Sequence, residues 1–309
     1  MRKWILATVA VGAAAASLLA MSTHDVESQP SRDPGRLTVG IYAPTVEFAT
    51  AQARLAYIQG LAKAIESNTG IKTEGQSFAS LSALRQSGVD FAILDGQCYA
   101  VNSGYKLIAV AEIGGDTTRS WGLFSSVGTD MQSLRGKKLS YVQTGCNDGG
   151  FIDHAMLESE VDGSFFSGRV GKGDLVAAVA EVASYKGAQA VFAPSGSQKG
   201  LTKVFDTGAV PNPAFVALGD VDSSLTAKVA AAVTGYGGSG AISGWSAGGK
   251  QLFQALSGRM SRSSKAGVFA APEAVRFDAK DVLVEPATLS DTDLTPIRQH
   301  FIRPKGRME

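Results

Sequence analysis

The chain has 309 residues, 44% of them hydrophobic and 18% charged, with a formal net charge of +1. Those proportions exclude a disordered chain, and no basic field is present that would attract nucleic acid. Thirty-six glycines imply many tight turns, and two cysteines are too few for a disulfide-built scaffold.

Arg2 and Lys3 precede an apolar run over residues 4–20, and small residues follow around Ala20-Met21-Ser22. A charged start, apolar middle and small-residue end read as a secretory signal peptide over residues 1–22, which sends the mature chain to the periplasm. The run is long for a signal, so an uncleaved membrane anchor is the alternative. No cysteine lies near the expected cut, and a lipid-anchored amino terminus is unsupported. Cleavage removes two basic residues and no acidic one, leaving a charge of about −1. Residues 23–36 are polar, with two prolines and a glycine, and form a tether.

From residue 37 strands and helices alternate. Residues 37–42 are a strand, and Leu55, Ile58, Leu61 and Ile65 recur at helical spacing until Gly70. A strand follows to Phe78, then a helix capped by Ser80, then strands at 91–94 and 106–113. A second series begins with a strand at 121–125. Residues 139–142 form a strand, and QTGCNDGG leads into a helix expected over 151–161. Leu175, Val176, Val179 and Val182 mark the next helix, 190–193 and 215–218 are strands, and Leu225, Val229 and Val233 mark a further helix.

This is an α/β pattern of two lobes, each a mostly parallel sheet flanked by helices. Lobe 1 is expected from 37–117 and 221–309, and lobe 2 from 118–220, with the chain crossing between them near Gly114 and near Pro211-Asn212-Pro213. The mature length of about 275 residues exceeds a usual single core. Ligands of parallel sheets gather beyond the carboxyl ends of strands. Five such segments are polar here: 42–45, 77–80, 95–99, 144–148 and 194–197. The residues expected to meet a ligand are Tyr42, Gln97, Tyr99, Thr144 and Asn147, with Asp95 and Asp148 orienting a donor or a cation.

Several stretches in their order carry a resemblance. They are LTVGIYAP, SGVDFAILDGQCYA, LRGKKLSYVQTG, AQAVFAPSGS and VPNPAFVAL. Over residues 37–260 or so, the chain resembles periplasmic solute-binding proteins of the type II fold, most closely the phosphate/phosphite/phosphonate receptors of ABC transporters. The resemblance implies a monomeric receptor that closes on a small molecule and presents it to a membrane permease, with no cofactor. One departure stands out. Oxyanion-binding members usually carry a run of Ser and Thr hydroxyls where this chain has Thr144-Gly145-Cys146-Asn147-Asp148. No Arg or Lys lies in the five segments, so a zwitterion or a cation-bearing solute suits these residues at least as well as a polyanion.

Cys98 and Cys146 each follow a strand, one per lobe. In an oxidising compartment they are disulfide candidates across the cleft mouth; the other reading is two small buried thiols. A nucleophilic Cys146 finds only His154 nearby in sequence, about two helical turns on and facing sideways. Gly244-Trp245-Ser246-Ala247-Gly248 matches the nucleophile-elbow pattern G-x-S-x-G, with Asp281 and His300 later in order, so a serine hydrolase using Ser246 is a rival. The stretch before it, GYGGSGAIS, is a poor strand. Gly235, Gly237 and Gly240 follow a helix instead of a strand, unlike a nucleotide-binding turn. No His/Cys/Asp/Glu group has metal spacing. A sensor subunit reporting to a kinase or chemoreceptor would share all of these features.

Overall fold

The computed structural model describes residues 35–262, apart from Asp162, Lys199 and Ser239. The expected signal peptide, most of the tether, and residues 263–309 with Asp281 and His300 lie outside the described residues. Among those described, no helix is long and apolar enough to cross a membrane.

β1 (Arg36–Tyr42), β2 (Lys72–Ser77), β3 (Phe91–Leu94) and β4 (Lys106–Glu112) build the first sheet, joined by α1 (Ala51–Thr69), α2 (Leu81–Gln86) and α3 (Gly96–Val101). The ends of α1 follow from local chemistry. Thr50 accepts a hydrogen bond from the Ala53 amide, and Gly70 closes the helix in the left-handed region that glycine enters without penalty. Its Ile58, Leu61 and Ile65 are fully buried on the sheet, each contributing roughly 1.5–3 kcal/mol by leaving water.

The chain then crosses over. β5 (Thr118–Ser125), β6 (Lys138–Val142), α4 (Asp148–Gly150), a π-helical turn (Phe151–Met156), β7 (Gly168–Lys172), α5 (Leu175–Ala183), β8 (Ala190–Pro194) and β9 (Thr202–Pro211) form the second lobe. It returns through β10 (Ala214–Ala217), α6 (Ser223–Thr234), β11 (Gly244–Ala247) and α7 (Lys250–Met260). The sheets have strand orders β11-β4-β10-β3-β1-β2 and β7-β6-β8-β5-β9. In each, a parallel group, β1 with β2 and β3 or β6 with β7 and β8, is completed by antiparallel strands.

The two-lobed α/β class holds, with details that differ. β10 pairs with β3 and β4, so the chain is back in the first sheet by Ala214, directly after the crossing expected near Pro211-Asn212-Pro213 and ahead of the 220/221 lobe limit. The helix expected over 151–161 ends at Met156, and Glu158 and Ser159 take positive φ. β9 was not foreseen, because its Thr, Lys, Asp and Gly residues lie on a sheet edge and need no apolar alternation.

One apolar core runs across the boundary between the lobes. It contains Leu94 and Tyr99 from the first lobe, Trp121, Phe151 and Met156 from the second, and Phe253, Leu256 and Met260 from α7. α7 packs on α3, on the π-helical turn and on β9. Its Arg259 donates to the Ala209 carbonyl at 3.0 Å. The last described helix therefore straps both halves.

Candidate functional site

Strand-end turns from both sheets face one another across the gap. On the first lobe, Asp95 caps α3 by accepting from the Gln97 amide at 3.2 Å. Its other oxygen accepts from the Thr45 amide at 3.1 Å and the Thr45 hydroxyl at 2.6 Å. Asp95 thus stitches the turn after β1 to the turn after β3. Burial raises its pKa above the ordinary carboxylate value, against the pull of the Thr45 and Gln97 hydrogen bonds and the Arg119 charge.

Tyr42 and Gln97 reach the opposite lobe. The Tyr42 hydroxyl donates to the Thr144 carbonyl at 2.8 Å. Its pKa is pushed up to about 12, first by burial and then by the charges of Asp95 and Asp148. The Gln97 side-chain amide donates to the Cys146 carbonyl and to the Asp148 carboxylate, each at 2.8 Å. Asp148 also accepts from the Thr144 hydroxyl at 2.6 Å, the Thr144 amide at 3.2 Å and the Gly145 amide at 3.0 Å. Four donor groups of the protein could serve a bound anion here only if that carboxylate left: the Thr144 amide and hydroxyl, the Gly145 amide and the Gln97 side chain.

The cysteines settle as a bond. Cys98 and Cys146 form a disulfide with Cα atoms 5.0 Å apart, covalently joining α3 of one lobe to the turn after β6 of the other. Both residues are buried, 0% and 2% exposed. A cysteine nucleophile is therefore absent in this state, and the His154 ring nitrogen Nδ1 lies 2.8 Å from the Ser159 hydroxyl. Further out, Ser197 donates to Glu47 at 2.6 Å and the Leu175 amide to the Pro44 carbonyl at 3.0 Å. The cavity left between the lobes has room for roughly one water molecule. Thr45 and Gln97 line one side; Trp121, Tyr141, Phe151, Phe192 and Asp148 line the other.

Of the seven expected contacts, Tyr42, Asp95, Gln97, Thr144 and Asp148 come together in one network. Asn147 lies in the same turn, where its left-handed backbone and side-chain oxygen serve the Gly150 amide. Tyr99 does not join them. Its ring packs edge-on against Phe253 at 4.7 Å and its hydroxyl donates to the Tyr105 carbonyl at 3.2 Å.

Arg119 is a residue that the strand-end rule missed. It is the second residue of β5, at the crossing, and donates to the Thr45 carbonyl at 3.1 Å and the Asn212 side chain at 3.0 Å. Asn212, in the return crossing, donates to the Asp116 carbonyl at 2.7 Å. One guanidinium thus holds both crossings to the cleft. Burial lowers its pKa, while Asp95 and Glu47 oppose that. The only available signal was a basic residue inside an otherwise uncharged strand, beside the expected crossing.

Ser246 does not sit on an elbow. It lies within β11, which pairs with β4, and donates to the Glu112 carboxylate. The neighbouring Trp245 donates to the Tyr57 hydroxyl at 2.9 Å. A nucleophile elbow needs the serine in the sharp turn after a central strand, whereas β11 is an edge. Among the described residues, no group of three His, Cys, Asp or Glu is placed to hold a metal.

No family model matches the chain, and no curated protein matches it in sequence. Solved structures do match. A Xanthomonas citri protein bound to ATP superposes with a TM-score of 0.56 at 13% identity, over 73% of this chain and 97% of that one. PhnD1 from Prochlorococcus marinus, in complex with methylphosphonate, gives 0.57 at 13% identity over 72% and 96%. A binding protein component of an ABC phosphonate transporter from Pseudomonas aeruginosa gives 0.54 at 12% over 73% and 87%. These likenesses establish the architecture: the chain has the two-lobed fold of type II periplasmic binding proteins.

Proposed function

We propose that the chain is an exported solute receptor that captures a small molecule between its lobes and presents it, as a monomer in the periplasm, to an ABC-type permease. The observation that carries this reading is convergence. Turns after β1, β3 and β6, separated by up to a hundred residues of sequence, meet at one gap and bridge it through Tyr42 and Gln97. Fold neighbours that bind methylphosphonate or serve a phosphonate transporter support a receptor role and make a phosphonate-like solute the first candidate. The residues support a different solute chemistry, because no Lys or Arg lines the cavity.

The test is a thermal-shift screen of the chain after removal of bound solute, with and without a thiol reductant. The panel holds phosphonates, phosphate, amines and amino acids. A ligand of the folded state alone adds about 2.7 kcal/mol at a hundredfold excess over its Kd, so one class should raise the melting temperature saturably. A flat response to every class in both redox states would overturn the receptor reading.

A second reading rests on the disulfide and the shared core. Lobes joined covalently and by one apolar core can serve as a permanently closed interaction module that never cycles. Its mark is a scattering-derived radius that no solute changes, before or after reduction.

A further inference from the structure

The Asp148 carboxylate is bound by its own protein in the manner of an anionic ligand. Oδ1 receives the Thr144 amide, the Thr144 hydroxyl and the Gln97 side chain, and Oδ2 receives the Gly145 amide. Three of these donors belong to the second lobe and one to the first. A carboxylate offers about four acceptor positions, so most of its capacity is used by groups from both sides of the gap. Charge-assisted bonds of this kind are roughly twice as strong as neutral ones. The same carboxylate forms part of the cavity wall, beside the rings of Trp121, Phe151 and Phe192. Two cations act on the network, and both are engaged elsewhere: Arg119 donates to Thr45 and Asn212, and Arg54, whose charge is felt at Tyr42, donates to the Ser77 hydroxyl.

Two consequences follow. An incoming phosphate or phosphonate would find its donors occupied, and would meet a negative charge in a cavity wall that holds no Lys or Arg. Like charges brought together cost affinity, and a built-in repulsion is a standard way to reject a wrong partner. A small uncharged or cationic solute with an apolar face meets neither obstacle, since the aromatic walls accept it and the carboxylate attracts a cation.

We infer that Asp148 is the specificity-determining residue of the cleft: its side chain is the resident anion of a donor set spanning both lobes, and it turns the site against anionic solutes. The inference builds on the receptor reading for the identity of the site and adds the class of solute that the site refuses.

The experiment uses the full chain carrying Cys98→Ser and Cys146→Ser, so that solutes can enter, with Asp148 intact or changed to Ala or to Ser. Inorganic phosphate and methylphosphonate are titrated against a chloride control at matched ionic strength, with melting temperature and Trp fluorescence as readouts. The Asp148 parent should show no saturable response at millimolar anion. Asp148→Ala and Asp148→Ser, each vacating the donors, should bind at least about tenfold tighter. Equal anion binding by the parent and the variants would overturn the inference. So would folded variants that bind no anion. Failure of both variants to fold would make the carboxylate a structural strut only, and would overturn it as well. The receptor reading fails separately, if no solute class in the panel stabilises the chain in either redox state, and that outcome does not touch the comparison of the Asp148 variants with their parent.

Discussion

Asp95 and Tyr42 show how a polar residue at a strand end becomes part of a frame. Removing the Asp95 carboxylate with Asp95→Ala leaves three buried donors without an acceptor, two on Thr45 and one on Gln97. The expected loss is about 3 kcal/mol in urea unfolding. Its pH dependence has a definite sign. Because burial raises the folded pKa above 3.8, the folded chain takes up this proton before the unfolded chain does. The Asp95 contribution is then complete below the ordinary carboxylate value and is lost as pH rises through the folded one. The stability gap between the parent and Asp95→Ala should therefore widen as pH falls from neutral toward 3.8. Tyr42 behaves likewise at the other end of the scale. Because burial, then the charges of Asp95 and Asp148, raise its folded pKa, its contribution is complete below about 10 and fades as pH rises through about 12. Tyr42→Phe should cost about 1 kcal/mol and remove one phenolate step near 12 from an absorbance titration. At this scale the strand-end rule located most of the network from sequence. It failed at Tyr99 because residues adjacent on a helix point about 100° apart, and with Gln97 and Cys98 turned to the other lobe the next side chain faces inward.

Among the elements, α3 bears the tightest constraint. A Cβ at Gly96 would run into the Pro211 carbonyl oxygen and press on that of Asn212. The first turn of α3 therefore sits directly on the return crossing, and only glycine lets it approach. Gly96→Ala should destabilise the chain by about 3 kcal/mol, an overpacking cost, read as a lowered denaturant midpoint with an unchanged slope. Buried elements were legible in two ways: α1 because one buried face imposes helical periodicity, and β3 and β8 because burial on both faces leaves a short continuous apolar run. The short β11, with only Trp245 buried, and the polar β9 carry too little apolar pattern to announce themselves. The π-helical turn escaped notice for a related reason. Its FIDHAM sequence suits an ordinary helix, and the wider turn packs on α7, a contact that local sequence does not announce.

For the whole molecule, the order of strands and helices was enough to give two lobes and two crossings, since parallel strands demand long connections and the helices supply them. What sequence could not give was how far the halves are joined. The distance between Cys98 and Cys146, and the course of α7 across both lobes, depend on tertiary geometry. The bond closes a segment of 48 residues, and the chain-entropy estimate for that length is about 4 kcal/mol. Replacing both cysteines by serine should lower stability by about that amount and raise amide exchange in the turns after β3 and β6 first. The central claim is that one site between the lobes receives the solute. Amide hydrogen exchange, followed with a stabilising solute in reducing buffer, tests it most directly. Slower exchange at Thr45 and Gln97 of one lobe together with Thr144 and Gly145 of the other is the predicted result. Protection confined to one lobe, or to surfaces away from these turns, would contradict it.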